Sequence, residues 1–385
     1  MPSDDPASLA LLERLVAFDT TSRLSNLELI AFVEDYLAGL GVKSRRVDYA
    51  PGKTNLYATI GPEDVGGIAL SGHTDVVPVD GQAWDTDPFK VEVRDGKAFG
   101  RGTADMKGFL AAVLAKVPAF LERPLKTPIH IAFSCDEEVG CRGVRPLIAD
   151  LAASPVKPRA VIVGEPTLMQ VVDAHKAADT FETEVLGHEA HSSNAHQGVN
   201  AIMEAGGALS ELNRLEAEWR KRGDPSGRFT PPFSTLQVGL IEGGTAKNII
   251  PRRCQFTWET RLLPDADPAE AEARISAYAE GRTAAMRAVA PDAGISTRCT
   301  NRVPGLKPDP GSPAEALVMM LAKANGTAAV SYATEAGFFQ GAGMPAVICG
   351  PGSIDQAHKP NEFIALSELQ KCEAFLDRLA VHCRG

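Results

Sequence analysis

The stretch Leu70–Pro78, LSGHTDVVP, places His73 and Asp75 two residues apart, just after the short apolar run Gly67–Leu70. An apolar run of this kind predicts a buried strand, here over 67–71, with both polar side chains just beyond its carboxyl end. Imidazole and carboxylate groups bind metal ions and transfer protons. We therefore expect the rest of the chain to be organised around this strand end.

The segments on both sides of this strand alternate between helical and β-rich patterns. Helices are predicted over 8–18, 27–40, 109–120 and 144–153, and further strands over 43–47, 55–60, 129–134 and 160–163. This alternation is typical of an α/β domain with a mostly parallel sheet. In such sheets, functional groups collect beyond the carboxyl ends of the strands.

The middle third of the chain follows a different pattern. Strands are predicted over 180–186, 235–241, 255–261 and 295–300, and helices over 199–222 and 268–289. The order β-α-β-β-α-β is that of a ferredoxin-like α+β unit, inserted here over 178–301. The α/β pattern then resumes with a helix over 313–324, a strand over 346–349 and a helix over 366–381. The main domain is therefore predicted to be discontinuous, made of 1–177 and 302–385.

Composition excludes several classes of partner. The 385 residues suffice for two domains. The formal net charge is −10 and no basic run is present, which argues against binding to nucleic acid or to an anionic membrane. The segment GRGTADMKG lacks the residues of a Walker motif and the spacing of a dinucleotide-binding motif.

The cysteines and the first residues bear on location. The seven cysteines are odd in number and show no CxxC spacing, which favours reduced thiols over a disulfide framework. The segment MPSDDPASLALLERLV carries acids where a signal peptide needs basic residues, and no apolar stretch reaches the length of a membrane span. We expect a soluble, cytoplasmic protein.

Further carboxylates and an imidazole are predicted at strand ends, as His73 is, and Asp105 is placed in a Gly-punctuated loop, GRGTADMKG, that opens the helix at 109. They are Asp105, Glu137, Glu138, Glu165 and His358. Taken singly, each could be a helix cap or a loop residue, but a parallel sheet would bring five such strand ends to one edge. Imidazole and carboxylate without thiolate suit catalytic zinc, cobalt or manganese. Two histidines, one shared aspartate and two glutamates would supply two ions, and one glutamate of the 137–138 pair would remain as a base.

Several motifs together resemble a known family. GHTDVVP, GRGTADMKG, DEEVG, GEPT, HSS followed by GVNAI, and GPGSIDQAHKPNEF are similar in order and spacing to the dinuclear zinc family of aminoacylases and carboxypeptidases. The resemblance runs from about residue 9 to about residue 380. Within the family, EEVGCRGV, VDAHKA and the TEA block are most similar to the acetylornithine deacetylases. HKA at 175–177, where HKG is usual, and one additional histidine in EAHSSNAH depart from the pattern.

The resemblance implies a complete set of metal ligands for two zinc or cobalt ions. His73 and Glu165 would bind one ion, Glu138 and His358 the other, and Asp105 would bridge both. The peptide bond after Asp105 would be cis.

The resemblance also implies which residue orients His73 and which residue accepts a proton from the reacting water. Asp75 would accept a hydrogen bond from the far nitrogen of His73 and so orient that ring. Glu137 would be the general base, taking a proton from a water shared by the two ions and passing it to the leaving amine.

The inserted unit would be a lid and dimerisation domain, and the protein a homodimer. His191 would reach the active site of the partner subunit and stabilise the oxyanion of the tetrahedral intermediate. His188 and His196 are nearby alternatives, but His191 directly precedes the serine pair that marks the motif.

Five residues are implied to bind the substrate. Asn248 and Arg261 would bind its carboxylate, Arg261 through its planar fork of donors. The backbone amides of Gly350 and Gly352 would approach the same group. Glu335 would attract the distal ammonium of ornithine.

The expected reaction is hydrolysis of N2-acetyl-L-ornithine to L-ornithine and acetate, a step of arginine biosynthesis. Alternatives within the same chemistry are succinyl-diaminopimelate desuccinylase, another N-acyl amino acid amidohydrolase and a dipeptidase. A non-catalytic binding protein of the same fold is less favoured, because all five ligands and the base are present.

Overall fold

The computed structural model describes residues 5–385, and its chain divides into two units. The larger unit contains the chain up to Ala174, Leu306–Ala329 and Thr334–Gly385, whereas the smaller contains His175–Gly305 and Val330–Ala333. Residues 1–4, with which the predicted first domain begins, lie outside the described residues.

The larger unit is built on a sheet of eight strands. In spatial order these are β1 (Ser44–Ala50), β2 (Lys53–Ile60), β6 (Ile129–Ser134), β3 (Ile68–His73), β7 (Ala160–Pro166), β14 (Ala346–Gly350), β8 (Val172–His175) and β13 (Ala328–Val330). The four central strands β6, β3, β7 and β14 are parallel to one another. Every residue of these four strands is buried, which explains why they read as continuous apolar runs in the sequence.

Within residues 5–385, seven α-helices and a small second sheet complete the larger unit. The helices are α1 (Leu9–Val16), α2 (Leu27–Gly39), α3 (Gly108–Leu121), α4 (Val144–Ala153), α7 (Pro313–Ala322), α8 (Ala336–Gly341) and α9 (Leu366–Arg384). The small sheet contains β4 (Glu92–Arg94), β5 (Lys97–Phe99) and β15 (Phe363–Ala365). The predicted α/β class is confirmed. The unpredicted elements β4, β5, β8, β13, β15 and α8 are too short to produce a periodic pattern.

The smaller unit has the predicted order β-α-β-β-α-β. Its elements are β9 (Ala177–Leu186), α5 (Ala201–Arg222), β10 (Thr235–Gly243), β11 (Arg253–Leu262), α6 (Glu270–Val289) and β12 (Gly294–Val303). The antiparallel sheet has the order β10-β11-β9-β12, as in a ferredoxin-like unit. Phe181, Thr183 and Val185 share the buried face of β9, as the alternation predicted, and Phe181 stacks on Trp258 with ring centroids 4.2 Å apart.

Two further expectations concern the whole chain. All seven cysteines are free thiols, in agreement with their odd number. Among residues 5–385, no helix combines the length and the apolar character needed to cross a membrane.

Candidate metal centre

Four of the parallel strands deliver side chains to one edge of the large sheet. His73 is the last residue of β3, and Glu165 lies near the end of β7. Glu137 and Glu138 follow β6, and His358 follows β14. These positions agree with the prediction that the carboxyl ends of the strands form the site.

Asp105 reaches the same place by a different route. As predicted, it lies in the segment that opens α3, here an irregular turn over Thr103–Lys107, but this turn follows the small sheet and not a strand of the parallel sheet. The peptide bond between Asp105 and Met106 is cis, as the resemblance implied.

Asp105 lies between the two histidines. Its Oδ1 is 3.0 Å from Nε2 of His73, and its Oδ2 is 3.4 Å from Nε2 of His358. His73 Nε2 is also 3.9 Å from Oε1 of Glu165, and His358 Nε2 is 3.0 Å from Oε2 of Glu138. Each carboxylate oxygen of Asp105 thus faces a different histidine, which is the arrangement needed for a bridging ligand.

The charges in this cluster are unbalanced without a cation. Burial and the charge of Asp105 raise the pKa of Glu165 well above its usual range. Burial also raises the pKa of Glu137 to about 8, although the charge of His73 opposes the rise. Hydrogen bonds to Asp105 and Glu138 raise the pKa of His358 to about 10. The carboxylates repel one another, and the histidines compensate only by holding protons.

The donor set fits divalent metal ions. His73, Glu137 and Glu165 each offer one ligand atom within 4.8 Å of the others, and so do His73, Asp105 and Glu138. All the donors are imidazole nitrogens or carboxylate oxygens, which is the chemistry of hydrolytic zinc, cobalt or manganese sites. A cation would replace the protons that these groups otherwise need.

Asp75 contacts both His73 and the loop that carries Glu137 and Glu138. Nδ1 of His73 donates to the backbone carbonyl of Asp75 at 2.8 Å, whereas the nearer carboxylate oxygen of Asp75 is 3.7 Å away. The expected contact between ring and carboxylate is therefore replaced by one to the main chain. The Asp75 carboxylate instead accepts from the backbone N–H groups of Glu137 and Glu138, at 3.1 and 3.2 Å. It fixes the start of the loop that carries both glutamates.

A buried thiol contacts the predicted base. Sγ of Cys141 donates to Oε1 of Glu137 at 3.1 Å. This bond occupies one carboxylate oxygen of Glu137 and leaves the other for a second partner. This contact could not be predicted from the sequence, because Cys141 follows Glu137 by four residues in a loop rather than in a helix.

Glu335 lies beneath the cluster and is 1% exposed. Its carboxylate accepts hydrogen bonds from the hydroxyls of Ser134 and Ser71. This burial argues against direct contact between Glu335 and the distal ammonium of a substrate, because the two serines already hold its oxygens. Burial raises the pKa of Glu335 to about 7.

The Glu335→Gln variant is expected to be more stable than the parent above neutral pH. The folded protein holds the Glu335 proton up to about pH 7, and the unfolded chain only to pH 4.5, so the wild type loses stability as pH rises between these values. The neutral amide avoids this loss, which amounts to about 3 kcal/mol at pH 8. Urea unfolding of the chelated proteins at pH 8 and at pH 4.5 tests this. An equal difference in stability at both pH values would contradict it.

Contrary to expectation, the backbone amides of Gly350 and Gly352 are not free to approach a substrate carboxylate. Their backbone amides donate within the protein, that of Gly350 to Oγ1 of Thr167 at 3.2 Å and that of Gly352 to Glu368 at 3.4 Å. They are therefore not bare donors for a substrate carboxylate. At Gly350 a side chain is excluded for another reason, since a Cβ would lie 2.0 Å from the carbonyl oxygen of Gly164. Gly350 permits the close approach of β14 to β7.

The remaining predicted site residues belong to the smaller unit. His191 is exposed, and its Nδ1 accepts from the backbone N–H of Ser193 at 3.2 Å. The neighbouring Ser192 donates its N–H to the carbonyl of Asn248 at 3.1 Å, so the loops carrying His191 and Asn248 are in contact. Arg261 lies on β11 and pairs with Glu259 at 3.3 Å. His188 and His196 are exposed in the same loop as His191.

Three residues around the cluster were missed in the sequence. Glu362, Arg101 and Gln82 form a hydrogen-bonded chain next to Asp105 and His358. Glu362 lies in the quoted motif HKPNEF, but a single glutamate in a polar loop has no pattern that distinguishes it from a solvated residue. Its burial depends on a partner more than 250 positions away in the chain.

The chain is similar to known proteins along most of its length. Residues 69–382 match the family model for peptidase family M20/M25/M40. An acetylornithine deacetylase from Myxococcus xanthus is 36% identical over an alignment of 395 positions, gaps included, which covers 99% of this chain and 98% of the relative.

Solved structures of this family share the fold. An M20 family metallo-carboxypeptidase from Sulfolobus solfataricus superposes with a TM-score of 0.76 at 20% identity, covering 97% of this chain and 99% of that one. A dinuclear metal-binding peptidase of the M20 family from Bacillus subtilis superposes with a TM-score of 0.66 at 16% identity, covering 98% of both chains.

Proposed function

Because the chain belongs to peptidase family M20/M25/M40 and is a metallohydrolase of amide bonds, we propose that it hydrolyses N2-acetyl-L-ornithine to L-ornithine and acetate. The observation that carries the hydrolytic chemistry is the position of Glu137 beside a cluster of two histidines and three further carboxylates, in which His73 is buried and His358 is exposed to solvent. The acetylornithine substrate is supported by the relative from Myxococcus xanthus, which this chain matches over nearly its whole length.

Five residues would hold two divalent ions, which we propose to be zinc or cobalt. His73 and Glu165 would bind one ion, Glu138 and His358 the other, and Asp105 both. When bound, such ions polarise a carbonyl and lower the pKa of water.

Glu137 would move the proton of the reaction. Its carboxylate takes a proton from the attacking water and passes it to the nitrogen of the leaving amine. The thiol of Cys141 restrains one oxygen of Glu137, and the Asp75 carboxylate restrains its backbone N–H. Both contacts hold the base in one orientation before the substrate arrives, and this lowers the entropic cost of reaching the transition state.

The smaller unit would supply the other polar groups. We propose that His191 stabilises the oxyanion, acting on the partner subunit of a homodimer, and that Asn248 and Arg261 bind the substrate carboxylate. Arg261 suits this role because a guanidinium binds a carboxylate through two parallel hydrogen bonds. The seven free thiols support a cytoplasmic location, where arginine biosynthesis would use the reaction.

Steady-state kinetics on a panel of acyl-amino acids tests the proposed substrate. The panel contains N2-acetyl-L-ornithine, N-succinyl-L,L-diaminopimelate, neutral N-acetyl amino acids and a dipeptide, each assayed with zinc and with cobalt. We expect kcat/KM for N2-acetyl-L-ornithine to exceed the others by about 10-fold or more, as pocket contacts commonly discriminate. A higher kcat/KM for another member of the panel would assign the enzyme to that substrate instead.

A further inference from the structure

Both carboxylate oxygens of Glu362 accept hydrogen bonds from one turn of the chain, residues 101–105. Oε1 accepts from the backbone N–H groups of Ala104 and Asp105, at 2.9 and 3.0 Å. Oε2 accepts from Nη1 of Arg101 at 2.7 Å and from the N–H of Gly102 at 3.0 Å. Glu362 is 1% exposed, so its carboxylate is shielded from water. Among the described residues, these four groups donate to it. The carboxylate fixes the backbone from which Asp105 projects.

Arg101 extends this contact toward His358. Its Nη2 donates to Oε1 of Gln82 at 2.6 Å, and Nε2 of Gln82 donates to the backbone carbonyl of His358 at 3.0 Å. Nε1 of Trp84 also donates to Oε1 of Gln82, at 3.1 Å. Two donors on the oxygen and one acceptor at the nitrogen leave the Gln82 amide a single orientation.

One end of this chain of contacts holds backbone in an uncommon conformation. Asp105 and Met106 have extended φ values of −122° and −136° in the irregular turn before α3, whereas His358 has φ 63°. A positive φ is uncommon for residues other than glycine and persists where neighbouring contacts impose it. The side chains of these two residues approach each other to 3.4 Å. The contacts therefore connect two donors of the metal cluster that are far apart in sequence.

We propose that Glu362 is a positioning residue that, through Arg101 and Gln82, holds Asp105 and His358 ready for metal before an ion binds. The inference rests on the metal-dependent function proposed above. A purely stabilising role for the buried ion pair between Arg101 and Glu362 would affect only folding. The positioning role requires, in addition, that metal affinity depends on Glu362 when the fold is intact.

The Glu362→Gln variant tests the inference by calorimetric titration of the metal-free protein with Zn²⁺. A glutamine has one acceptor oxygen, so at least two of the four donors lose their partner. We expect Zn²⁺ affinity to fall about 10–100-fold, as is usual when the supports of metal ligands are removed. Excess Zn²⁺ should restore kcat, and KM should stay within about 2-fold of the wild type, because the substrate contacts are unchanged.

Glu373→Gln is the matched control. Glu373 is also a buried glutamate and accepts two hydrogen bonds from Ser8, but it lies on α9 outside the cluster. We expect its Zn²⁺ affinity to equal that of the wild type. Gln82→Ala is a second test that does not remove a buried charge, and a loss of affinity of more than 2-fold is expected there as well.

The outcomes distinguish a failure of this inference from a failure of the proposed function. If the wild type binds Zn²⁺ and both Glu362→Gln and Gln82→Ala, folded by circular dichroism, bind it within 2-fold as tightly, the positioning role is wrong. If Glu362→Gln does not fold, Gln82→Ala alone decides. If the wild type binds two ions but hydrolyses no acyl-amino acid, the proposed function fails while calorimetry still tests Glu362.

Discussion

The Glu137→Gln variant is expected to turn over its substrate about 10²–10⁴-fold more slowly than the wild type. Glutamine keeps the size and the backbone contacts of Glu137 but cannot accept a proton from water. The thiol of Cys141 still has an oxygen to bond, and the Asp75 carboxylate still holds the backbone N–H. The measurement is kcat on the best substrate of the panel, with metal content determined by elemental analysis.

Metal content decides how this loss is interpreted. If the variant binds as much metal as the wild type and loses turnover, Glu137 acts on protons rather than on the ions. Glu137→Asp should recover part of the activity, because the shorter carboxylate can still accept a proton. A glutamine variant with metal bound and more than a tenth of the wild-type kcat would contradict the assignment of the base.

Removal of metal by a chelator is expected to lower activity by at least about 10²-fold and to lower thermal stability. The loss of activity follows because polarisation of the carbonyl contributes several kcal/mol to catalysis. The loss of stability follows because ions bind the native cluster and not the unfolded chain. At a free metal concentration of 1,000 times Kd this linkage contributes about 4 kcal/mol, or roughly 5–10 °C in Tm.

Reconstitution provides the control for chelation. Zn²⁺ or Co²⁺ added to the stripped protein should restore both activity and Tm, whereas Mg²⁺, which prefers six oxygen ligands, should restore neither. A stripped protein that keeps full activity, with metal undetectable by elemental analysis, would exclude a metal-dependent mechanism.

Much of the fold could be predicted because its central strands are buried on both faces. Ile129–Ser134 and Val144–Ala153 have the bounds read from the sequence, since apolar runs and helical periodicity are strong over these lengths. The three-residue strands of the small sheet could not be predicted in this way. Glu92–Arg94 is largely exposed, and its pairing is set by Lys97–Phe99 rather than by any pattern of its own.

The residue types of the candidate site could be predicted, but their contacts could not. His73 and Glu165 could be placed because they end strands whose direction the α/β pattern fixes. The acceptor for Nδ1 of His73 depends on the path of the main chain after the strand, and so it proved to be a carbonyl. The burial of Glu335 beneath two serines likewise depends on packing between segments that are more than 200 residues apart.

The position of β14 in the large sheet has a consequence for synthesis on the ribosome. β14 pairs with β7, yet the whole of the smaller unit lies between these strands in the chain. A nascent chain must therefore keep one edge of β7 open while about 180 further residues are translated. An exposed edge of apolar residues invites pairing with other chains. Polypeptides that end before residue 346 should thus aggregate, even when the smaller unit has already folded.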